Sequence, residues 1–373
     1  MYGHQAASAA LTGHAFTADH PIRSSRLTFG PTVLDSSGQD HERLRSVLGS
    51  ELRPSKVAGY ASDVVVPIIE ESLDHLPRSG AFDLVEHLAL PIPMRVICRL
   101  LGIDRRHALP LCRRIAPLVE VIDHGNVSLT TARTAHDGIA ALVRGELFDR
   151  ASVLSAAPIG EALIAAVDGG ILNLDAAIDN VVLLLVAGTV TASAALANAA
   201  AYFLAADAPE RGRRALDAER GAFTREFLRL QPSVRYTPRF ATTSTTLGGV
   251  GIDQGEVLLV CLASANRDPL VYRDPAEWTT DRGSEPAPLS FGRGLHSCLG
   301  NLLGELELTA TMRRAVPVLD GLVMTDGSST LVPGWTLRRR ASLVVEQRTT
   351  ATSRHVPRPL ERSPAERTGH GVH

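Results

Sequence analysis

The sequence predicts a mainly α protein with a minor β part, organised around one long central helix. Three observations carry that reading. From Asp40 to about Gly221, apolar residues recur at spacings of three and four, the period of helices with a buried face. Within that region Val181–Ala206 contains no charged residue, which marks a helix buried on every side. Beyond Pro232 the texture changes to short alternating runs broken by Gly248, Gly249, Gly251 and Gly255, the pattern of strands joined by tight turns.

In chain order, helical spacing covers His41–Leu52, Ala58–His75, Pro93–Leu101, Arg105–Val121 and Thr130–Leu147, punctuated by Pro54, Pro77, Gly80, Pro91 and Gly102. The uncharged helix follows, then Phe223–Leu230, stopped by Pro232. Strands are expected in Tyr236–Thr246 and Thr246–Leu262, with a Pro-, Gly- and Asp-rich meander over Asp268–Pro288. A further helix begins near Cys298 and runs to about Val318, and a last strand pair falls at Leu322–Thr325 and Ser342–Glu346. Residues 1–28 show little periodicity and read as a poorly structured N-terminal segment. Residues 29–347 read as one folded unit, and residues 348–373, with almost no apolar content, as a disordered tail.

Composition narrows the function. Of 373 residues, 45% are hydrophobic and 21% charged, enough for a large core. A net charge of −2 gives no support to nucleic acid or an anionic membrane as partner. The four cysteines form no CxxC pair, so neither a disulfide framework nor a zinc site is indicated, and a reducing cytoplasm is the natural setting. The uncharged stretch is long enough to span a bilayer. Its second half, however, carries Gly188, Thr189, Thr191, Ser193 and Asn198, which suits a buried core helix better than lipid.

The chemistry is concentrated in Phe291-Gly292-Arg293-Gly294-Leu295-His296-Ser297-Cys298-Leu299-Gly300. A glycine-rich loop here delivers one thiol to the start of a helix. Gly292 and Gly294 permit close backbone approach, and a cysteine at a helix N-terminus has its thiolate stabilised by unpaired N–H groups. Six of these positions, Phe291, Gly292, Gly294, His296, Cys298 and Gly300, match F-G-x-G-x-H-x-C-x-G in register. The chain thereby resembles the bacterial cytochrome P450 family of haem-thiolate monooxygenases. That resemblance implies a cytochrome P450-like fold with haem b (iron protoporphyrin IX) as cofactor and Cys298 as its axial iron ligand.

The resemblance extends along the chain. Glu226-Phe227-Leu228-Arg229 is similar to the family's E-x-x-R, with Arg282 implied as the third, structural member. His41 and Arg45 match H-x-x-x-R, and with Arg239 and His296 they are implied propionate contacts. Ala187-Gly188-Thr189-Val190-Thr191 is similar to the oxygen-binding stretch A-G-x-[D/E]-T. Gly188 would leave room beside the iron and Thr191 would offer its hydroxyl to bound oxygen. Val190, Val234 and Tyr236 are the implied substrate-pocket residues.

Two departures stand out. Val190 replaces the acid that relays protons in the family, so atypical oxygen activation is expected. His41 also comes several dozen residues earlier than in typical members. The resemblance implies a soluble monooxygenase of bacterial secondary metabolism that hydroxylates or couples an apolar or carrier-bound substrate. Electrons would come from ferredoxin and ferredoxin reductase, with Arg293 on the docking face. The alternative is a non-catalytic auxiliary of a glycosyltransferase, a class that characteristically lacks the thiolate ligand.

Overall fold

The structure is a computed structural model. It describes residues 3–123, 127–149, 157–207, 210, 214, 217 and 222–348. The expected disordered tail, apart from Arg348, lies outside the described residues.

The uncharged run forms the axis of the molecule. Helix α11 (Leu174–Leu204) has 31 residues, which gives a rod of about 46 Å. Asn173 caps it by accepting the Ala176 N–H at 2.7 Å. Three quarters of the residues from Ala177 to Leu204 are buried, so its hydropathy reflects the core and not a membrane. Helix α6 (Pro91–Leu101) packs along one side of α11, and α14 (Asn301–Asp320) along another. Most of the remaining helices follow the sequence reading: α3 (Gly38–Glu51), α4 and α5 (Pro54–Tyr60 and Val66–Asp74), α7 and α8 (Ala108–Arg114 and Ala116–Asp123), α9 (Leu129–Val143) and α12 (Ala222–Leu230); α10 (Pro158–Asp168) and a short α13 (Leu262–Ala265) are additions to it.

The β part is small and antiparallel. Strand β3 (Tyr236–Ala241) lies between β1 (Phe16–Thr17) and β6 (Val257–Cys261). Strand β8 (Arg340–Gln347) lies between β2 (Phe82–Asp83) and β7 (Leu322–Leu331), and β4 (Thr245–Leu247) pairs with β5 (Val250–Ile252) as a hairpin.

The N-terminal segment differs from expectation. From residue 3 onward it is built from α1 (His4–Thr12), β1 and α2 (Ser24–Phe29). Helix α1 buries Ala7, Ala10 and Leu11 in a second core beside Leu258, Val260 and Leu289. Its apolar face is mostly alanine, which gives a weak periodic signal, and its stability comes from this packing.

A buried ionic cluster joins α12 to the meander. Glu226 accepts from Arg229 at 2.7 and 2.8 Å, from Arg282 at 2.7 and 3.2 Å, and from the Thr279 N–H at 3.1 Å. Arg229 also donates to the carbonyls of Asn266, Pro275 and Glu277. Burial alone would raise the Glu226 pKa, but the hydrogen bonds from Arg229 and Arg282 outweigh it and hold the carboxyl below its ordinary range. Glu226 therefore contributes stability that is fully present above the ordinary carboxyl pKa and lost as pH falls through the lowered folded value. Replacing Arg282 with leucine is expected to cost about 3–5 kcal/mol in chemical denaturation at neutral pH, because the carboxylate stays buried after losing one of its two guanidinium partners. A Glu226→Gln protein is expected to show a shallower stability loss than the parent below about pH 5.

Candidate functional site

The same cluster anchors the cysteine loop. Asn266, whose carbonyl receives Arg229, accepts the Leu289 N–H through Oδ1 at 2.6 Å and donates through Nδ2 to Ser290 Oγ at 2.8 Å. Ser290 in turn donates to the Leu228 carbonyl at 2.8 Å. The loop then closes on itself, with the Gly292 N–H on Leu289 O, Ser297 N–H on Gly294 O and Cys298 N–H on Phe291 O, at 2.8, 3.0 and 2.8 Å. Gly294 has φ of 78°, and a Cβ there would lie 2.8 Å from the Leu11 carbonyl of α1. No other residue fits. The Phe291 ring packs against Gly304 in the first turn of α14, and Arg293 donates to Ser8 of α1 at 2.9 Å.

Cys298 stands three residues before α14, with Gly300 capping the helix. Its thiol is accessible yet surrounded by protein at longer range, as a group on the floor of a recess would be. Burial is the largest influence on its pKa and raises it; the Gly300 N–H and the charge of Arg45 lower it less. The expected thiolate-stabilising effect of the helix start is thus real but outweighed, and the protein alone favours the thiol. A bound metal ion would deprotonate it outright.

Around this recess lie basic groups without acidic counterparts. His41 on α3 is fully buried and neither ring nitrogen has a partner. Its ring sits 4.5 Å from that of His296, whose Nδ1 is likewise buried and unpartnered. Burial first, then the nearby cations His41 and Arg239, push the His296 pKa down to about 3. Arg45, one turn from His41, donates to the Ser297 carbonyl and hydroxyl, each at 3.0 Å. Arg239 on β3 is buried and bonds only to Thr237 Oγ1 and the Pro238 carbonyl among the described residues. Burial, then Arg23, lowers its pKa to about 10. Buried cations and imidazoles with open donors are costly unless an anion meets them. Two carboxylates of a porphyrin would do so, and a thiol on the recess floor would reach its metal. The residues present fit a haem.

The central helix carries the Ala187–Thr191 stretch. Thr191 is half-buried and donates to the Ala187 carbonyl at 2.7 Å, leaving its lone pairs open. Ala187, one turn earlier on the same face, is exposed in the middle of a buried helix. It is the first residue of the Ala187–Thr191 stretch and shares the face of Thr191 through its i−4 spacing. Val190 is buried in the hydrophobic core cluster, about 100° around the helix from Thr191. Gly188 is half-buried, and a Cβ there would lie in ordinary contact with Ile97 of α6 at 3.6 Å. Val234 and Tyr236 are half-buried, Val234 bridged by Leu337 and Tyr236 paired across β3 with Cys261.

A mainly helical fold with one accessible sulfur under a ring of unneutralised cations defines a haem-thiolate protein. Comparison with known proteins agrees. Residues 221–317 match the family model for cytochrome P450. The chain is 31% identical over 289 residues to 6-deoxyerythronolide B hydroxylase of Saccharopolyspora erythraea, covering 76% of this chain and 70% of that protein. It is 30% identical over 301 residues to nocardicin C N-oxygenase of Nocardia uniformis, covering 77% and 74%. The crystal structure of ligand-free CYP164A2 from Mycobacterium smegmatis superposes with a TM-score of 0.82 at 25% identity, over 93% of this chain and 90% of that one. The chain belongs to the cytochrome P450 family.

The loop geometry yields a direct check. Gly294→Ala should push α1 off the cysteine loop, lowering the thermal midpoint by several degrees and weakening retention of added haem. Heat denaturation and absorbance after gel filtration measure both, and parental values for both would refute the steric account.

Proposed function

We propose that this protein is a monooxygenase of bacterial secondary metabolism that hydroxylates or oxidatively couples an apolar or carrier-bound small molecule. The observation that carries it is the accessible Cys298 thiol lying with His41, Arg45, Arg239 and His296, whose open donors suit two propionates. Haem b is the group that this cradle fits, and when bound it supplies the redox and oxygen chemistry. Relatives support the substrate class: the two named above and luteothin monooxygenase of Streptomyces thioluteus carry names of such reactions, and one structural neighbour was crystallised with an acyl-ligated carrier protein. A cytoplasmic ferredoxin and its reductase are the proposed electron donors.

The protein's own part divides among few residues. Cys298 would supply the sulfur ligand, the four basic residues would hold the propionates, and the Glu226 cluster holds the loop. Thr191, already donating to Ala187, keeps its lone pairs free and would accept a hydrogen bond from a proton donor. Val190 offers no proton and faces the core, so proton delivery rests on Thr191 and water. The intact thiol, and a cradle whose open donors suit an anionic cofactor, favour this reading over a non-catalytic auxiliary.

Reconstitution with haem followed by reduction under carbon monoxide should give the absorption band of thiolate-bound iron, and Cys298→Ser should lose that band with helical circular dichroism unchanged. A parent that takes up no haem would refute the proposal. Val190→Asp should lower stability by about 2–4 kcal/mol, since it buries a carboxyl in the core. It should nonetheless raise product formed per electron consumed; an unchanged ratio would mean that no missing proton relay limits the reaction.

A further inference from the structure

The segment between β1 and α3 brings one more cation to the propionate side of the recess. β1 pairs with β3 at Phe16↔Ala241 and Thr17↔Phe240. The His20 ring then stacks on Phe240, with centroids 4.1 Å apart and planes 10° from parallel. The chain therefore runs along the strand that carries Arg239 and reaches Arg23 beside it. Arg23 is buried and ion-paired with Asp35 at 2.9 Å. Both of its hydrogen bonds, to the Ala18 and Leu34 carbonyls at 3.0 and 3.1 Å, leave from Nη1. Nε and Nη2 donate to no protein acceptor among the described residues.

Charge counting gives this arrangement a direction. Arg45 bonds to Ser297 in the cysteine loop, Arg239 immediately precedes the Phe240 on which His20 stacks, and Arg23 follows His20 by three residues. Asp35 is the one carboxylate ion-paired with any of the three among the described residues. Three fixed positive charges against one negative leave a surplus of two, which equals the charge of two propionates. A guanidinium that served only its aspartate would have no reason to sit against a second buried arginine, where repulsion is weakly screened.

We infer that Arg23 is a further cofactor-anchoring residue, its free Nε and Nη2 donating to a porphyrin propionate while Nη1 keeps its place in the 18–35 segment. The inference rests on the haem reading above. Asp35 acts on it as a positioning residue, holding the guanidinium so that its remaining donors stay open. The rival account is that the Arg23–Asp35 pair merely staples the segment.

Binding of iron protoporphyrin IX and of its uncharged dimethyl ester separates the two. For the full chain, the ratio of diacid to diester affinity is compared among the parent, Arg23→Gln, Asp35→Asn and the double variant. The ratio should fall about tenfold in Arg23→Gln and equally in the double variant, the effect of one lost charge-assisted hydrogen bond. Asp35→Asn should keep the parental ratio. A staple would instead weaken diacid and diester alike in Arg23→Gln, and the double variant, with no stranded charge, would recover. If Arg23→Gln fails to fold, the double variant and Arg23→Lys carry the comparison, since neither leaves Asp35 as a lone buried charge. A parent that binds neither porphyrin overturns the haem reading and this inference together. A parental diacid preference that survives removal of Arg23 overturns this inference alone.

Discussion

Glu226 sits between two arginines deep in the protein, and the site depends on that contact. Burying three ions costs several kcal/mol each before any attraction is counted. What offsets the cost is saturation: the carboxylate accepts from both guanidinium groups and an amide, and Arg229 spends its remaining donors on three carbonyls of the meander. One of those carbonyls belongs to Asn266, whose side chain grips Leu289 and Ser290 at the root of the cysteine loop. The ionic cluster is thus one hydrogen-bonded step from the segment that aims the sulfur. The loop has little regular structure of its own, so its geometry is borrowed from this neighbour.

The recess shows the opposite economy. Its cations are held without saturation, and their basicity is depressed by burial and by one another. A protein tolerates such groups when a ligand completes them, because binding then returns the free energy withheld on folding. The cofactor is accordingly part of the fold's electrostatic balance, and the high thiol pKa of Cys298 belongs to the same logic.

Much of this was legible in the sequence, and the failures have physical causes. Helix α11 declared itself by its lack of charge, and the cysteine loop by the spacing of glycines, histidine and cysteine. Glu226 and Arg229 were found because an i, i+3 pair on one helix face is local, whereas Arg282, distant in the chain, was implied by the family resemblance alone. The inward and outward faces of α11 were not legible. A helix that is apolar all round carries no polar stripe to show which of Ala187, Gly188 and Val190 meets the recess. Helix α1 was missed because alanine contributes little to a periodic signal. Arg23 gave no sign at all: its hydrogen bonds and ion pair fall on Ala18, Leu34 and Asp35, in a stretch with little periodicity, and β3, beside which this segment runs, lies far along the chain.

The contact of α1 with the cysteine loop has a temporal consequence. Ser8 and Arg293 are 285 residues apart, yet they touch. During synthesis on a ribosome, Ser8 must wait for the cysteine loop before its partner exists, although Leu258 and Val260, against which the same helix packs, are made earlier. Closing so long a loop makes this a late event in folding. A nascent chain that has made His41 and Arg45 still lacks Arg239 and Cys298, so the groups that would hold a porphyrin are complete only once the cysteine loop has emerged, and the early helix must be kept from other apolar partners in the meantime.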